Sequence, residues 1–267
     1  MCDEGRERGV PYSRSGPAIF LHGPDLLIDT PEEIKDQLNR SGIENIAACF
    51  YSHWHPDHTA GRRVWETSNI DLRGWPPQST CTDIYLPEQV AVDFKTWLGL
   101  EEHFDFLERH GVVRVNRLFD EDSVVFDNWT VTPFRLAEDY VYAFLLMSAR
   151  SRVLIVPDEM NGWSPEQAPV SLHDLDLAIL PMGVTEFDVL TGQRLIDPAH
   201  PVLGMEMTFD QTLDVVRKLG ARRTVLTHIE EMERLTIDDL EILEHKLQSK
   251  GLSITFAKDM MSVDVED

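Results

Sequence analysis

Cysteine is scarce in this chain: Cys2, Cys49 and Cys81 are the three present, at unrelated spacings. An odd number so placed builds neither a disulfide framework nor a complete zinc knuckle, and it points to a reducing compartment. Long apolar runs are also missing. The longest clear one, YVYAFLLM at 140–147, falls well short of the ~20 residues that cross a bilayer. The N-terminal MCDEGRERG is charged where a signal peptide would be apolar. The expected setting is therefore cytoplasmic, with no membrane partner.

Positive charge is the third shortage, with 24 Lys and Arg against 47 Asp and Glu, a net charge of -23. A field of that sign repels a phosphate backbone, so nucleic acid is not an expected partner. The excess acid reads as solubility, and much of it lies in HIEEMERLTIDDLEILEHK, where acids alternate with Ile and Leu at helical spacing. Internal repeats and low-complexity linkers are absent too. Residues 1–267, 42% hydrophobic, are accordingly read as a single domain with a full core.

Along the chain, AIFLHGPDLLIDT at 18–30 places two apolar segments around a Gly-Pro-Asp turn, a hairpin pattern. TPEEIKDQL then opens a helix, with Thr30 as the expected N-cap, Pro31 in the first helical position and Glu33 closing a capping box. IAACFYS is a buried strand. Residues 62–111 read as an irregular and helical excursion, with the Pro-rich GWPPQSTC followed by helical patterns in PEQVAVDFKTWL and EEHFDFLERHG. VVRVNRLF, SVVFDNWTVTPFRL, YVYAFLLMSA and RSRVLIV are expected to form a run of antiparallel sheet. LDLAILPMG is a further strand, TFDQTLDVVRKLG a helix with a Thr208–Gln211 capping box, ARRTVLTH a strand, and TIDDLEILEHKLQSKG the last long helix. Hairpin strands followed by alternating strands and helices suit an α/β fold, two packed mixed β-sheets with helices outside.

What the chain has in abundance is metal-ligating side chains at one place. YSHWHPDHTAG at 51–61 puts His53, His55, Asp57 and His58 within six positions at a strand end. Residues two apart on an extended segment point the same way, so His53 and His55 can serve one ion. Pro56 then bends the chain, and the adjacent Asp57 and His58 project elsewhere, where they can serve a second ion. Imidazole with carboxylate suits zinc, manganese or iron.

HWHPDH followed by Thr59-Ala60-Gly61 resembles the HxHxDH signature of the metallo-β-lactamase superfamily, and the likeness runs along nearly the whole chain. GPDLLIDT resembles the hairpin before the signature, VLIVPDE the strand whose aspartate bridges two metals, and VLTHIEE the strand end with the last histidine ligand. The resemblance implies an αββα sandwich, two divalent ions (Zn or Mn, or Fe), Asp158 as the bridging carboxylate and His228 as a ligand of the second ion. Asp29, ending LLIDT, is placed to support a ligand from behind. The RGVPYSRSG segment and the closing LTHI are most similar to the branch of carbon-phosphorus lyase accessory phosphodiesterases and RNase Z.

The sequence departs from that branch at three places. Ala137-Glu138-Asp139 stands where a third histidine for the first ion is expected, which makes Glu138 the expected replacement ligand. Glu206 stands where a histidine for the substrate phosphate is expected, and a carboxylate there repels a phosphate ester. His200, in DPAHPVLG, is an alternative imidazole for the substrate. The chain also begins near the end of the family's first strand and Gly-rich turn, leaving Cys2 as a remnant of its cysteine cluster, unable to hold a structural zinc alone. Trp163 either lines the substrate pocket or packs in the core.

The implied activity is that of a dinuclear metal-dependent hydrolase, in which a metal-bound hydroxide attacks a small phosphodiester of the cyclic-phosphate type. Asp57 and Asp158 are the expected catalytic carboxylates. A lactone or thioester hydrolase of the same fold and a non-catalytic metal-binding or sensing protein are the alternatives. A small-molecule substrate is the expected partner, and a homodimer is compatible with the sequence.

Overall fold

The computed structural model describes residues 3–74, 78–120, 122–229 and 234–265. Cys2, the Trp-Pro-Pro run at 75–77 and the acidic stretch 230–233 lie outside the described residues. In chain order the strands are β1 (Ile19–Leu21), β2 (Leu26–Ile28), β3 (Ala48–Phe50), β4 (Ile70–Asp71), β5 (Gln78–Ser79), β6 (Thr82–Pro87), β7 (Val113–Leu118), β8 (Val124–Phe126), β9 (Trp129–Arg135), β10 (Tyr142–Met147), β11 (Arg152–Ile155), β12 (Leu177–Pro181), β13 (Arg223–Thr227) and β14 (Ile254–Phe256). The helices are α1 (Asp3–Arg8), α2 (Ile34–Ser41), α3 (Pro56–Thr59), α4 (Val64–Asn69), α5 (Glu88–Thr96), α6 (Leu100–Arg109), α7 (Val202–Met205), α8 (Phe209–Leu219) and α9 (Ile237–Gln248).

Two mixed sheets form. The first, of five strands, has the order β1-β2-β3-β6-β7, and the second, of seven, the order β14-β13-β12-β11-β10-β9-β8. The expected hairpin is the β1/β2 pair, with Leu21 opposite Leu26 and the left-handed Gly23 and Asp25 in its turn. The antiparallel run holds from β8 to β11. Its expected first member does not: β7 pairs in parallel with β6 and belongs to the first sheet. The segment read as irregular and helical holds α4, α5 and α6 and also β6, a strand between β3 and β7.

Side-chain alternation along the strands sorts the core into layers. Phe144 and Leu146 of β10, Val153 and Ile155 of β11, and Leu177 of β12 point to the space between the sheets, where Phe50 meets Phe144 with ring centroids 5.7 Å apart. Their neighbours Ala143, Leu145, Leu154, Ala178 and Leu180 point the other way, into a second cluster covered by Leu213 and Val216 of α8 and Leu240, Leu243 and Leu247 of α9. On the far side of the first sheet, Tyr51 packs on Phe94 of α5 and Phe104 of α6, at 5.5 and 5.6 Å. Helices, sheet, sheet, helices is therefore the layer order, the expected αββα sandwich. Burying each of these large side chains contributes roughly 1.5–3 kcal/mol.

The capping expectations divide. Thr208 caps α8 as expected, accepting from the Gln211 backbone N–H at 3.4 Å, while the Thr208 N–H donates to Gln211 Oε1 at 2.7 Å. Thr30 does not cap α2, which starts at Ile34 after Glu33. The Thr30 hydroxyl is buried against the Tyr51 hydroxyl at 2.8 Å, which also accepts from Trp65 Nε1 at 3.1 Å. That network holds the loop after β2 to the loop after β3, and those two loops carry the site. Among the described residues no helix is long and apolar enough to cross a membrane.

Candidate metal centre

Each element that reaches the site ends there. β2 leads into Asp29, β3 into Ser52, His53 and His55, β11 into Asp158, and β13 into His228. His55 precedes α3, Pro56 occupies its first turn, and the short helix presents Asp57 and His58. Three of the residues at these strand ends, Asp29, Glu159 and His228, take left-handed backbone conformations, with φ of 63°, 54° and 52°. For non-glycine residues that conformation is uncommon, and it collects where a structure holds side chains for a purpose.

Two donor groups result. Asp57, His58, Asp158 and His228 form one, and His53, His55 and Asp158 the other, the donor atoms of each lying within 4.8 Å of one another. Asp158 is common to both. His228 Nε2 is 3.2 Å from Asp57 Oδ2 and 3.4 Å from Asp158 Oδ2, and His58 Nε2 is 3.2 and 3.7 Å from the same two oxygens. His53 Nε2 lies 3.9 Å from Asp158 Oδ2. Donors bound at ~2.0–2.2 Å to one tetrahedral ion stand ~3–4 Å apart, so the spacing fits.

The strongest sign that these residues hold ions is what their inner atoms lack. His53 and His58 are fully buried, yet the Nε2 of each has no hydrogen-bond partner. Buried imidazole nitrogens are costly to leave unpaired. Their outer nitrogens are fully used. Asp29, 1% exposed, accepts from the Ser52 backbone N–H at 2.8 Å, the Ser52 hydroxyl at 2.6 Å and His58 Nδ1 at 2.8 Å. Because the Ser52 proton goes to Asp29, its oxygen accepts from His53 Nδ1, 3.0 Å away. One buried carboxylate thereby holds the proton of both imidazoles on Nδ1 and turns each Nε2 inward, the arrangement in which Nε2 is the nitrogen left to ligate an ion. Asp29 does so directly for His58 and through Ser52 for His53.

Electrostatics agree. Burial alone would raise the carboxyls of Asp57 and Asp158, yet His228, His58 and, for Asp158, His53 hold both well below the usual range. Burial would likewise lower His228 and His58, but Asp158 and Asp57 raise His228 to about 9, and Asp29, Asp158 and Asp57 raise His58 well above the usual imidazole range, so both carry a proton that a bound ion would displace. His53, sealed from water and beside His58, is pushed well down, and burial lowers His55 as well. Acids kept ionised and an imidazole kept neutral are both ready to bind a cation.

Other expected site residues fall differently. Glu138 belongs to neither donor group. Its carbonyl accepts from the Val141 N–H at 3.1 Å in the turn that returns β9 into β10, which leaves its side chain half-buried at the rim. Trp163 is a core residue, 4% exposed and 6.4 Å from Phe134 within the outer cluster. His200 is exposed outside both donor groups, its Nδ1 accepting from Val202 N–H at the start of α7. Glu206, just after α7, is half-buried and acts on the site's rim.

One rim residue is absent from the sequence reading. Glu159 Oε1 lies 3.7 Å from His55 Nδ1, with a side chain 13% exposed. Burial, then Asp158, Glu206 and Glu138, push its carboxyl up to about 8. A second carboxylate beside the bridging aspartate in VLIVPDE was the available signal.

Comparison with known proteins places the chain in a family. The sequence model of the β-lactamase superfamily domain matches residues 23–229. No curated protein matches the sequence significantly. Among solved structures, a diphosphatase from the PhnP family is 20% identical with a TM-score of 0.66, covering 97% of this chain and 88% of that one. Human tRNase Z, short form, is 18% identical at a TM-score of 0.60, covering 94% and 92%. Zinc-bound PqqB from Methylobacterium extorquens is 14% identical at 0.64, covering 99% and 93%. At these identities the three show a shared fold.

Proposed function

The chain belongs to the β-lactamase superfamily, which together with its donor cluster makes it a metal-dependent hydrolase, and we propose that it cleaves a small phosphodiester of the cyclic-phosphate type. The observation that carries the reading is the pair of donor groups joined at Asp158, with two buried imidazole nitrogens aimed inward and unpaired. His53, His55 and Asp158 would hold one divalent ion, and Asp57, His58, His228 and Asp158 the other. When bound, the two ions would supply an activated water and offset charge on the attacked group. The nitrogen and carboxylate donors suit zinc, manganese or iron.

The protein's own groups do the rest. Asp29 and Ser52 keep the two buried imidazoles turned with Nε2 inward, so neither ring has to reorient on binding. Asp57, 42% exposed and tethered to His228, is the donor most open to the substrate side, where it can orient a reacting water. Names among the similar structures, a diphosphatase and a tRNase Z, favour phosphate chemistry, and the acidic surface favours a small substrate over long RNA. Glu206 at the rim favours the second reading, an uncharged ester such as a lactone.

A panel of a chromogenic phosphodiester, a cyclic ribose phosphate and a lactone, assayed with manganese and with zinc, separates the two. Turnover of the phosphodiesters is the expected result, and turnover of the lactone alone refutes the assignment. Asp57→Ala should abolish hydrolysis. A variant that still binds an ion while the parent turns over no ester would instead mark a metal-binding sensor.

A further inference from the structure

We infer that the substrate carries a positively charged ammonium group close to its ester, held at the rim by aromatic rings and carboxylates. This rests on the hydrolase reading above and specifies its substrate. Next to the donors stands an aromatic edge. The Tyr140 ring is 5.6 Å from His55 and 6.2 Å from His53, and Trp54 is 4.7 Å from His55. Trp54 stacks on Trp97 at 4.9 Å, and Trp97 is 44% exposed, so the edge reaches the surface. Beside it lie acids. Glu159 is 3.7 Å from His55, and Glu138 comes two residues before Tyr140 in the turn between β9 and β10. Glu206 acts with Glu138 on Glu159, and with Glu138 and Glu159 on the Tyr140 hydroxyl, each of which burial and these acids push upward.

The charge balance explains why such a rim needs a cation. The carboxylates of Asp57, Asp158, Glu138 and Glu206 already match the charge of two divalent ions, and Glu159, pushed up to about 8, is held protonated by its acidic neighbours. A phosphodiester adds one more negative charge to a partly buried, low-dielectric site, where like charges repel strongly. An ammonium on the substrate relieves that excess. Aromatic faces also favour it, because a ring attracts a cation by ~0.5–2 kcal/mol, the more so when water is excluded. Glu206 stands at the same rim, and its charge suits the ammonium end of a zwitterionic ester.

The test uses the full-length, metal-loaded protein and three p-nitrophenyl phosphodiesters that differ in one alcohol: 2-(trimethylammonio)ethyl, 2-aminoethyl, and the neutral isostere 3,3-dimethylbutyl. The charged esters should exceed the neutral one by about tenfold in kcat/KM, the factor that ~1.4 kcal/mol supplies. A preference for the trimethylammonio ester assigns the contact chiefly to the rings, and one for the aminoethyl ester to the carboxylates. In Glu138→Gln and Glu206→Gln the ratio of charged to neutral kcat/KM should fall toward one. Calorimetry with choline and 3,3-dimethylbutanol gives a readout without turnover, choline binding more tightly. Hydrolysis of all three esters at equal rates, with the two alcohols binding alike, overturns the inference and leaves the hydrolase reading standing. Selective choline binding with none of the esters cleaved upholds the inference and overturns the phosphodiesterase assignment.

Discussion

Replacing Asp29 by Asn tests the logic of the centre more sharply than removing any ligand, because it changes one atom and touches no ion. The aspartate's Oδ2 accepts from both the Ser52 hydroxyl and His58 Nδ1, at 2.6 and 2.8 Å. An amide nitrogen in that position donates instead. His58 Nδ1 must then become the acceptor, which moves its proton to Nε2, and a protonated Nε2 cannot ligate. The Ser52 hydroxyl, now receiving a hydrogen bond, turns its own proton to His53 Nδ1, so the same inversion reaches the second imidazole. Both donor groups lose a nitrogen. Outer partners of metal-ligating histidines are worth ~10–100-fold in metal affinity, and the upper end is expected where one residue governs two ligands. Loss of two charge-assisted hydrogen bonds at a residue 1% exposed should also lower the stability of the metal-free protein by about 3 kcal/mol. For a chain of this size that is a fall in Tm of about 6–12 °C. Chelator-competition titrations with zinc and manganese read the first quantity, and thermal unfolding in EDTA the second. Metal affinity within about twofold of the parent protein would refute the tautomer argument.

Metal removal should destabilise the native protein, since ions that bind only the folded state at one hundred times Kd add about 2.7 kcal/mol per site. Elemental analysis should find two ions per chain before EDTA treatment, and an unchanged Tm afterwards would count against the centre. Gly61→Ala should cost about 3 kcal/mol in urea unfolding, because a Cβ there would sit 2.0 Å from the Pro31 carbonyl oxygen and 2.5 Å from Ile34 Cγ2. Parent-like stability would contradict that close approach. Trp163→Ala should lose about 3–5 kcal/mol of stability with KM unchanged below its melting range, as a core side chain does. A raised KM with stability intact would return Trp163 to the substrate pocket.

Four residues of the two donor groups were legible because their signal is local. His53, His55, Asp57 and His58 share one strand end, and period-two geometry divides them without reference to the rest of the fold. The β1/β2 hairpin and the Thr208 cap were equally legible, each being a pattern of a few residues whose hydrogen bonds stay within it. Resemblance along the chain supplied Asp158, His228 and the layer order, which spacing alone does not carry. The tertiary structure decided the rest. It gave the Thr30 hydroxyl to Tyr51 in place of a helix cap, paired β7 in parallel with β6, and put Trp163 in the core. It also left Glu138 at the rim and set Glu159 against His55. Each of these turns on a competition between partners distant in sequence. A side chain offered both a local and a distant partner goes where packing and burial leave fewest polar groups unpaired, and that total is settled only when the two sheets close on each other.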